Sequence, residues 1–75
     1  MAKFNIKNVV RLWTEASRDS TAIHAELADG TVRHRYRVHD SDLAAELTIT
    51  RLARENGMTV RIYRGYELEA TKVGE

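Results

Sequence analysis

Residues 22–38 of the chain, AIHAELADGTVRHRYRV, contain the pattern that decides the fold. Apolar and polar residues alternate on both sides of Asp29 and Gly30, which is the period of a half-buried strand. An Asp-Gly pair within such alternation is a strong hairpin signal, because a type I′ turn needs positive φ at both central positions. The stretch therefore predicts a β-hairpin closed by a two-residue loop at Asp29-Gly30.

A two-residue loop determines which residues face each other across the hairpin. On one face we expect a core, formed by the pairs Leu27 with Val32, Ala25 with His34, and Ile23 with Tyr36. On the other face we expect a ladder of arginines, formed by the pairs Glu26 with Arg33, His24 with Arg35, and Ala22 with Arg37. His34 is the polar exception on the inner face, and we interpret it as a histidine at the core edge that bonds to backbone.

The preceding segment, residues 9–16, fits two structures. As a helix it places apolar side chains at i, i+3, i+4 and i+7. As a strand joined to the hairpin by a four-residue loop at 17–20, it forms the pairs Thr14 with Ile23, Leu12 with Ala25, and Val10 with Leu27. These pairs agree with the inner face that the Asp-Gly turn defines, and a one-residue slip would turn every side chain to the other face. We therefore favour the strand.

Residues 40–56 predict a helix with a marked beginning and end. Asp40 or Ser41 can accept hydrogen bonds from the first backbone N–H groups, and Gly57 can adopt the left-handed conformation that follows many helices. Residues 58–64 then predict a strand with Val60 and Ile62 facing inward. Residues 66–71 are a candidate for a final strand, on which we expect Glu67 and Glu69 to be solvated.

Together these elements predict an α+β fold, a two-layer sandwich with the order β-β-β-α-β and a final β as an alternative. A three-stranded antiparallel meander is followed by the helix and by one or two further strands. The helix is expected to cover the sheet face lined by Val10, Leu12, Ile23, Leu27, Val32, Tyr36, Val60 and Ile62. We expect a single compact domain over residues 1–75, with residues 1–3 and 73–75 frayed.

Composition excludes several classes of protein. The 75 residues include no cysteine, which excludes disulfide frameworks, thiolate catalysis and cysteine-bound zinc. No apolar run is long enough to cross a bilayer, so no membrane partner is expected. No catalytic, cofactor or phosphate-loop motif is present, and the three histidines lack the spacing of a metal site. We expect a cytoplasmic protein that is not an enzyme and uses no cofactor.

The predicted helix carries two leucines away from its core stripe. At about 100° per residue, Leu43 and Leu47 lie nearly opposite the apolar arc that includes Ile49 and Leu52. We favour the interpretation that the N-terminal segment or the last strand covers them. In the alternative they are exposed and form a contact with a partner or with a second copy in a homodimer.

The outer face of the predicted sheet is the other candidate surface. It combines three arginines that have no acidic residue opposite them with two exposed aromatic side chains: Arg35, Arg37, Arg61, Trp13 and Tyr63. Such a surface on a chain without a chemical site predicts a non-catalytic protein-binding module, an adaptor or inhibitor that occupies the surface of a larger partner protein. Small accessory proteins of phages and mobile elements, including inhibitors of host defence nucleases, are of this general type. The alternative is a single-stranded nucleic-acid-binding protein, in which the aromatic rings stack on bases and the arginines hold phosphates.

Overall fold

The computed structural model describes residues 6–65 and 67–72. Its elements in chain order are a 3-10 turn at Ile6–Asn8, β1 at Val9–Ala16, β2 at Thr21–Leu27, β3 at Val32–His39, α1 at Asp42–Glu55, β4 at Met58–Arg64 and β5 at Glu67–Lys72. The predicted α+β fold is confirmed, and the final strand is present. The fraying predicted for residues 1–3 and 73–75 concerns residues outside the described ranges.

The five strands form one antiparallel sheet in the order β3-β2-β1-β5-β4. β1 to β3 are the meander, and α1 leads from the edge strand β3 to the opposite edge strand β4. β5 then enters the sheet between β4 and β1. No helix in the described part of the chain is long and apolar enough to cross a membrane.

The strand prediction for residues 9–16 is confirmed, together with most of its register. Thr14 faces Ile23 and Leu12 faces Ala25, and the predicted loop at 17–20 closes with a 2.8 Å hydrogen bond from Ser17 N–H to the Ser20 carbonyl. The prediction fails at the start of the strand, where a bulge places Val9, and not Val10, opposite Leu27.

The hairpin is present, but its loop is one residue longer than predicted. Leu27 N–H donates to the Thr31 carbonyl at 2.8 Å, so three residues form the loop and only Gly30, with φ of +91°, is left-handed. A three-residue loop of this kind also matches strand twist, and it needs one positive φ where a type I′ turn needs two. Every pair near the turn shifts as a result: Glu26 faces Val32 and Ala25 faces Arg33.

A second shift follows within the same strand pair. Ile23 faces Arg37 and Ala22 faces Val38, so residues 34–36 of β3 lie opposite His24 alone. β3 therefore carries a bulge of two extra residues. The alternation of the sequence does not indicate this bulge, because the residues on either side of it still alternate.

The helix begins and ends as predicted. The Ser41 hydroxyl accepts a 3.1 Å hydrogen bond from Ala44 N–H, and Asn56 caps the other end. The core between α1 and the sheet consists of Val9, Leu12, Ile23, Ala25, Ala45, Ile49, Leu52, Ala53, Met58 and Ala70. Leu27, Tyr36 and Val60 pack against it as partly buried residues.

Three residues predicted to line the core are not part of it. Val10 lies in the bulge of β1. Val32 shares a side of the sheet with Glu26 because of the longer loop, and it is 38% exposed. Ile62, on the edge strand β4, is 70% exposed and therefore lies outside the area that α1 covers.

Candidate functional site

Four of the five residues predicted to form one outer surface lie at opposite edges of the sheet, and the fifth, Trp13, lies on the central strand β1. β3 carries Arg35 and Arg37, whereas β4 carries Arg61 and Tyr63, and these strands are the opposite edges of the sheet. Four strand spacings separate them, or roughly 19 Å. The predicted single patch is therefore wrong, because the sequence pattern did not indicate that β2, β1 and β5 all lie between the two edges.

On the β4 side, Arg61 has an acidic partner. Its Nη2 lies 3.1 Å from Glu69 Oε1, and Arg11 Nε contacts Glu69 Oε2 at 2.5 Å. Glu69 is only 8% exposed, so the prediction of a solvated glutamate is also wrong. The hydrogen bond from Arg11 lowers the pKa of Glu69, and Arg61 adds to this effect against the opposing effect of burial.

Glu67 forms a second acidic centre on this side. Its burial favours the neutral acid, but hydrogen bonds from Ala16 N–H and Arg64 Nε, each 3.1 Å, outweigh this and lower its pKa. The hydroxyl of the half-buried Tyr63 donates to the Thr14 carbonyl at 3.3 Å, and burial raises its pKa. Tyr63 is therefore held within the structure, contrary to the prediction of an exposed aromatic.

Trp13 lies on the outer face as predicted, but it is half-buried. The guanidinium carbon of Arg11 lies 4.3 Å from the centroid of its ring, within the range of a cation-π contact. The ring of His24 approaches it to 5.4 Å between centroids. Both aromatic residues predicted for base stacking are therefore half-buried and in contact with neighbouring side chains or backbone.

The β3 side differs, because residues 30–39 include no acidic residue. Arg33, Arg35 and Arg37 are all exposed. Arg37 faces Ile23 and not Ala22, so it does not occupy the outer row in which it was predicted. Its guanidinium carbon lies 4.4 Å from the centroid of the Tyr36 ring.

His24 is the residue that sequence reasoning missed. The alternation pointed to His34 as the buried histidine, but His34 is exposed and His24 is 5% exposed. His24 Nδ1 lies 2.9 Å from Arg35 N, and Nε2 lies 2.8 Å from Glu15 Oε1. The His34 ring contacts the His24 ring edge-on, 5.2 Å between centroids. The only sequence signal that His24 is buried is the small size of its neighbours Ala22 and Ala25, which are themselves buried.

Leu43 and Leu47 are 64% and 63% exposed. The described part of the N-terminal segment and the last strand therefore do not cover them, and a partner or homodimer contact through these leucines stays a prediction. Within residues 6–65 and 67–72, no three histidine, aspartate or glutamate side chains are grouped so that they could hold a metal ion.

Comparison of the chain with known protein families, with curated proteins and with solved structures finds no significant match.

Proposed function

We propose that this chain is a non-catalytic protein-binding module that acts as an adaptor or inhibitor on an acidic partner protein. Its contact surface is the exposed part of β3, which we call the basic edge: Val32, Arg33, Arg35, Arg37 and Val38. One observation carries the proposal, namely the distribution of charge in the sheet. Within the described residues, Arg35 and Arg37 of the basic edge form no ion pair, whereas Arg61 and Arg64 of β4 are paired with glutamates.

The acidic side chains of the described strands support this assignment. Glu15 contacts His24, Glu26 lies 3.9 Å from Arg11, Glu67 contacts Arg64, and Glu69 contacts both Arg11 and Arg61. None of these contacts involves Arg35 or Arg37. A positive region of this kind favours a partner that supplies carboxylates, because complementary potentials steer association and suppress wrong partners.

A protein partner fits the basic edge better than a nucleic acid. Single-stranded nucleic acids stack their bases on exposed aromatic rings among basic residues, whereas Trp13 and Tyr63 are half-buried and do not lie on β3. Arginine is enriched in protein interfaces, whose centres are more apolar. Val32 and Val38, which are 38% and 42% exposed, provide apolar surface on the basic edge.

We place this binding in the cytoplasm, since a chain without cysteine has no disulfide that a reducing compartment would break.

The test uses two double variants with the same change in net charge. Arg35→Glu with Arg37→Glu alters the basic edge, and Arg51→Glu with Arg54→Glu alters the exposed side of α1. The probes are a labelled acidic peptide and a labelled oligothymidylate, each titrated at about 50 and about 200 mM salt, where charge contacts weaken. Circular dichroism checks that both variants keep their fold.

We expect the natural chain to bind the peptide more tightly than the oligothymidylate. The β3 variant should lose about tenfold or more in peptide affinity, as expected when close charge pairs become repulsive, whereas the α1 variant should stay within about twofold. An equal loss in both variants would show that net charge, and not the basic edge, drives binding. Preference for the oligothymidylate would support the nucleic-acid alternative.

A further inference from the structure

The bulge in β3 holds Arg35 in an unusual backbone conformation. Its φ is +55°, and it is the only residue other than glycine with positive φ in the part of the chain that the structure describes. A residue with a side chain pays a free-energy cost in the left-handed region, and such a conformation persists only when surrounding contacts enforce it. The contact at this point comes from a side chain of the neighbouring strand.

That contact is the imidazole of His24. Arg35 N–H points at His24 Nδ1, with 2.9 Å between the two nitrogens. A backbone N–H can only donate, so Nδ1 must accept and carries no proton. The ring proton therefore sits on Nε2, from which it is donated to Glu15 Oε1 at 2.8 Å. A ring nitrogen therefore accepts the hydrogen bond that a backbone carbonyl of β2 would accept in a regular strand pair, and the His24 side chain is only 7% exposed.

We propose that His24 is a positioning residue that latches the basic edge in its binding shape and releases it when the ring is protonated. The inference rests on the proposed function, because the latch holds Arg35 within the surface assigned to the partner. A proton on Nδ1 would point at Arg35 N–H, and the two donors would repel each other. The bulge would then lose the hydrogen bond that offsets its strain.

The charged and titratable groups around the ring determine the direction of the effect. From β1, the Glu15 carboxylate stabilises a protonated ring and can keep its contact with Nε2. From β3, Arg35 N–H opposes a proton on Nδ1, and the neighbouring His34 adds further repulsion when it is protonated. The released state can therefore bind the proton more readily than the latched state, and acid shifts the population toward release.

Two substitutions separate titration from hydrogen bonding. His24→Asn places an amide oxygen close to the position of Nδ1 and can accept from Arg35 N–H, but it does not titrate. His24→Leu fills the site without an acceptor. His34→Asn is the matched control, because it removes a neighbouring histidine that has no bond to Arg35 N–H.

The first readout is the hydrogen-exchange protection of the Arg35 amide by NMR, corrected for intrinsic exchange, between pH 7.5 and 5.5. The second is affinity for the acidic peptide over the same range. In the natural chain both should fall about three- to tenfold on acidification, the equivalent of one hydrogen bond. His24→Asn should make both independent of pH, and His24→Leu should keep both low. His34→Asn removes only the repulsion from the neighbouring ring, so both should still fall on acidification, though less steeply.

The latch is wrong if His24→Asn keeps the pH profile of the natural chain, or if His24→Leu leaves the Arg35 amide protected. A different result would contradict the proposed function alone. If the peptide fails to bind at every pH while Arg35 protection still follows acidification, the latch stands and the basic edge is not a binding surface for acidic proteins.

Discussion

The two edge strands of the sheet carry the same residue type in different surroundings. β4 exposes Arg61 and Arg64 beside β5, which supplies Glu69 and Glu67 as their partners. β3 exposes Arg35 and Arg37 beside β2, whose only acidic residue, Glu26, faces Val32 and contacts Arg11. The composition of the neighbouring strand therefore decides whether an edge arginine forms an ion pair within the sheet, as Arg61 and Arg64 do.

The two β4 pairs differ in what they contribute to stability. Arg64 is 74% exposed in its side chain and Arg61 73%, and exposed ion pairs contribute only tenths of a kcal/mol. Glu69 is different, because it is buried and accepts from two guanidinium groups. The stability of the β4 edge therefore depends more on the buried Glu69 carboxylate of β5 than on either exposed arginine.

Replacing Glu69 gives the largest expected effect on stability. Glu69→Ala leaves Arg11 and Arg61 without their shared acceptor and should lower the free energy of unfolding by about 2 kcal/mol, in the range for hydrogen bonds to charged groups. The matched control is Glu26→Ala, which removes only a 3.9 Å contact between side chains that are 33% and 37% exposed, and should cost under about 0.5 kcal/mol. Urea unfolding measures the stability of both variants. Equal losses of stability would contradict the expected difference between the buried Glu69 and the half-exposed Glu26.

The same carboxylate gives a pH dependence whose sign follows from its pKa. Because the folded-state pKa of Glu69 lies below the ordinary value of 4.5, its contribution is complete above about pH 5. It is lost as the pH falls through the folded-state pKa. The stability difference between the natural chain and Glu69→Ala should therefore shrink in acid. A difference that stays constant down to pH 3 would show that burial, and not charge, accounts for it.

Arg35→Gly tests the strain on the β3 edge. Glycine adopts positive φ at no steric cost, which removes about 1 to 3 kcal/mol of strain, while its greater freedom in the unfolded chain costs about 0.5 to 1 kcal/mol. The difference between the two is centred on about 1 kcal/mol, so we expect the free energy of unfolding to rise by about that amount while affinity for the acidic peptide falls. A gain in stability with unchanged affinity would contradict a role for Arg35 in binding.

Local signals account for the parts of the fold that could be predicted from the sequence. Ser41 and Gly57 mark the two ends of α1, and the turns at 17–20 and near Gly30 establish the meander. Alternation then identifies β4 with the bounds that the structure shows, Met58–Arg64. Each of these features depends on residues close together in the chain.

The candidate site was less predictable because it depends on bulges and on strand order. The bulge opposite His24 is stabilised by a side-chain acceptor on another strand, which no alternation pattern reveals. The insertion of β5 between β1 and β4 brings Glu69 to Arg11, 58 residues away in sequence. Because of these long-range pairings, Arg61 and Arg64 of β4 form ion pairs with β5. Arg35 and Arg37 of β3 are exposed and have no such neighbour in the described part of the sheet.

The smallest expected effect comes from introducing an acidic residue into β3. Val38→Glu places a carboxylate on the basic edge at a position that is already 42% exposed, and Thr59→Glu places the same charge at an exposed position of β4. Because surface charges interact by tenths of a kcal/mol, Val38→Glu should weaken the acidic peptide about two- to threefold and leave unfolding within about 0.5 kcal/mol. Thr59→Glu should change neither, because roughly 19 Å exceeds the screening length in about 0.15 M salt. If both variants weakened peptide affinity equally, the peptide would be responding to the net charge of the whole sheet. The difference between the two edges would then not govern binding.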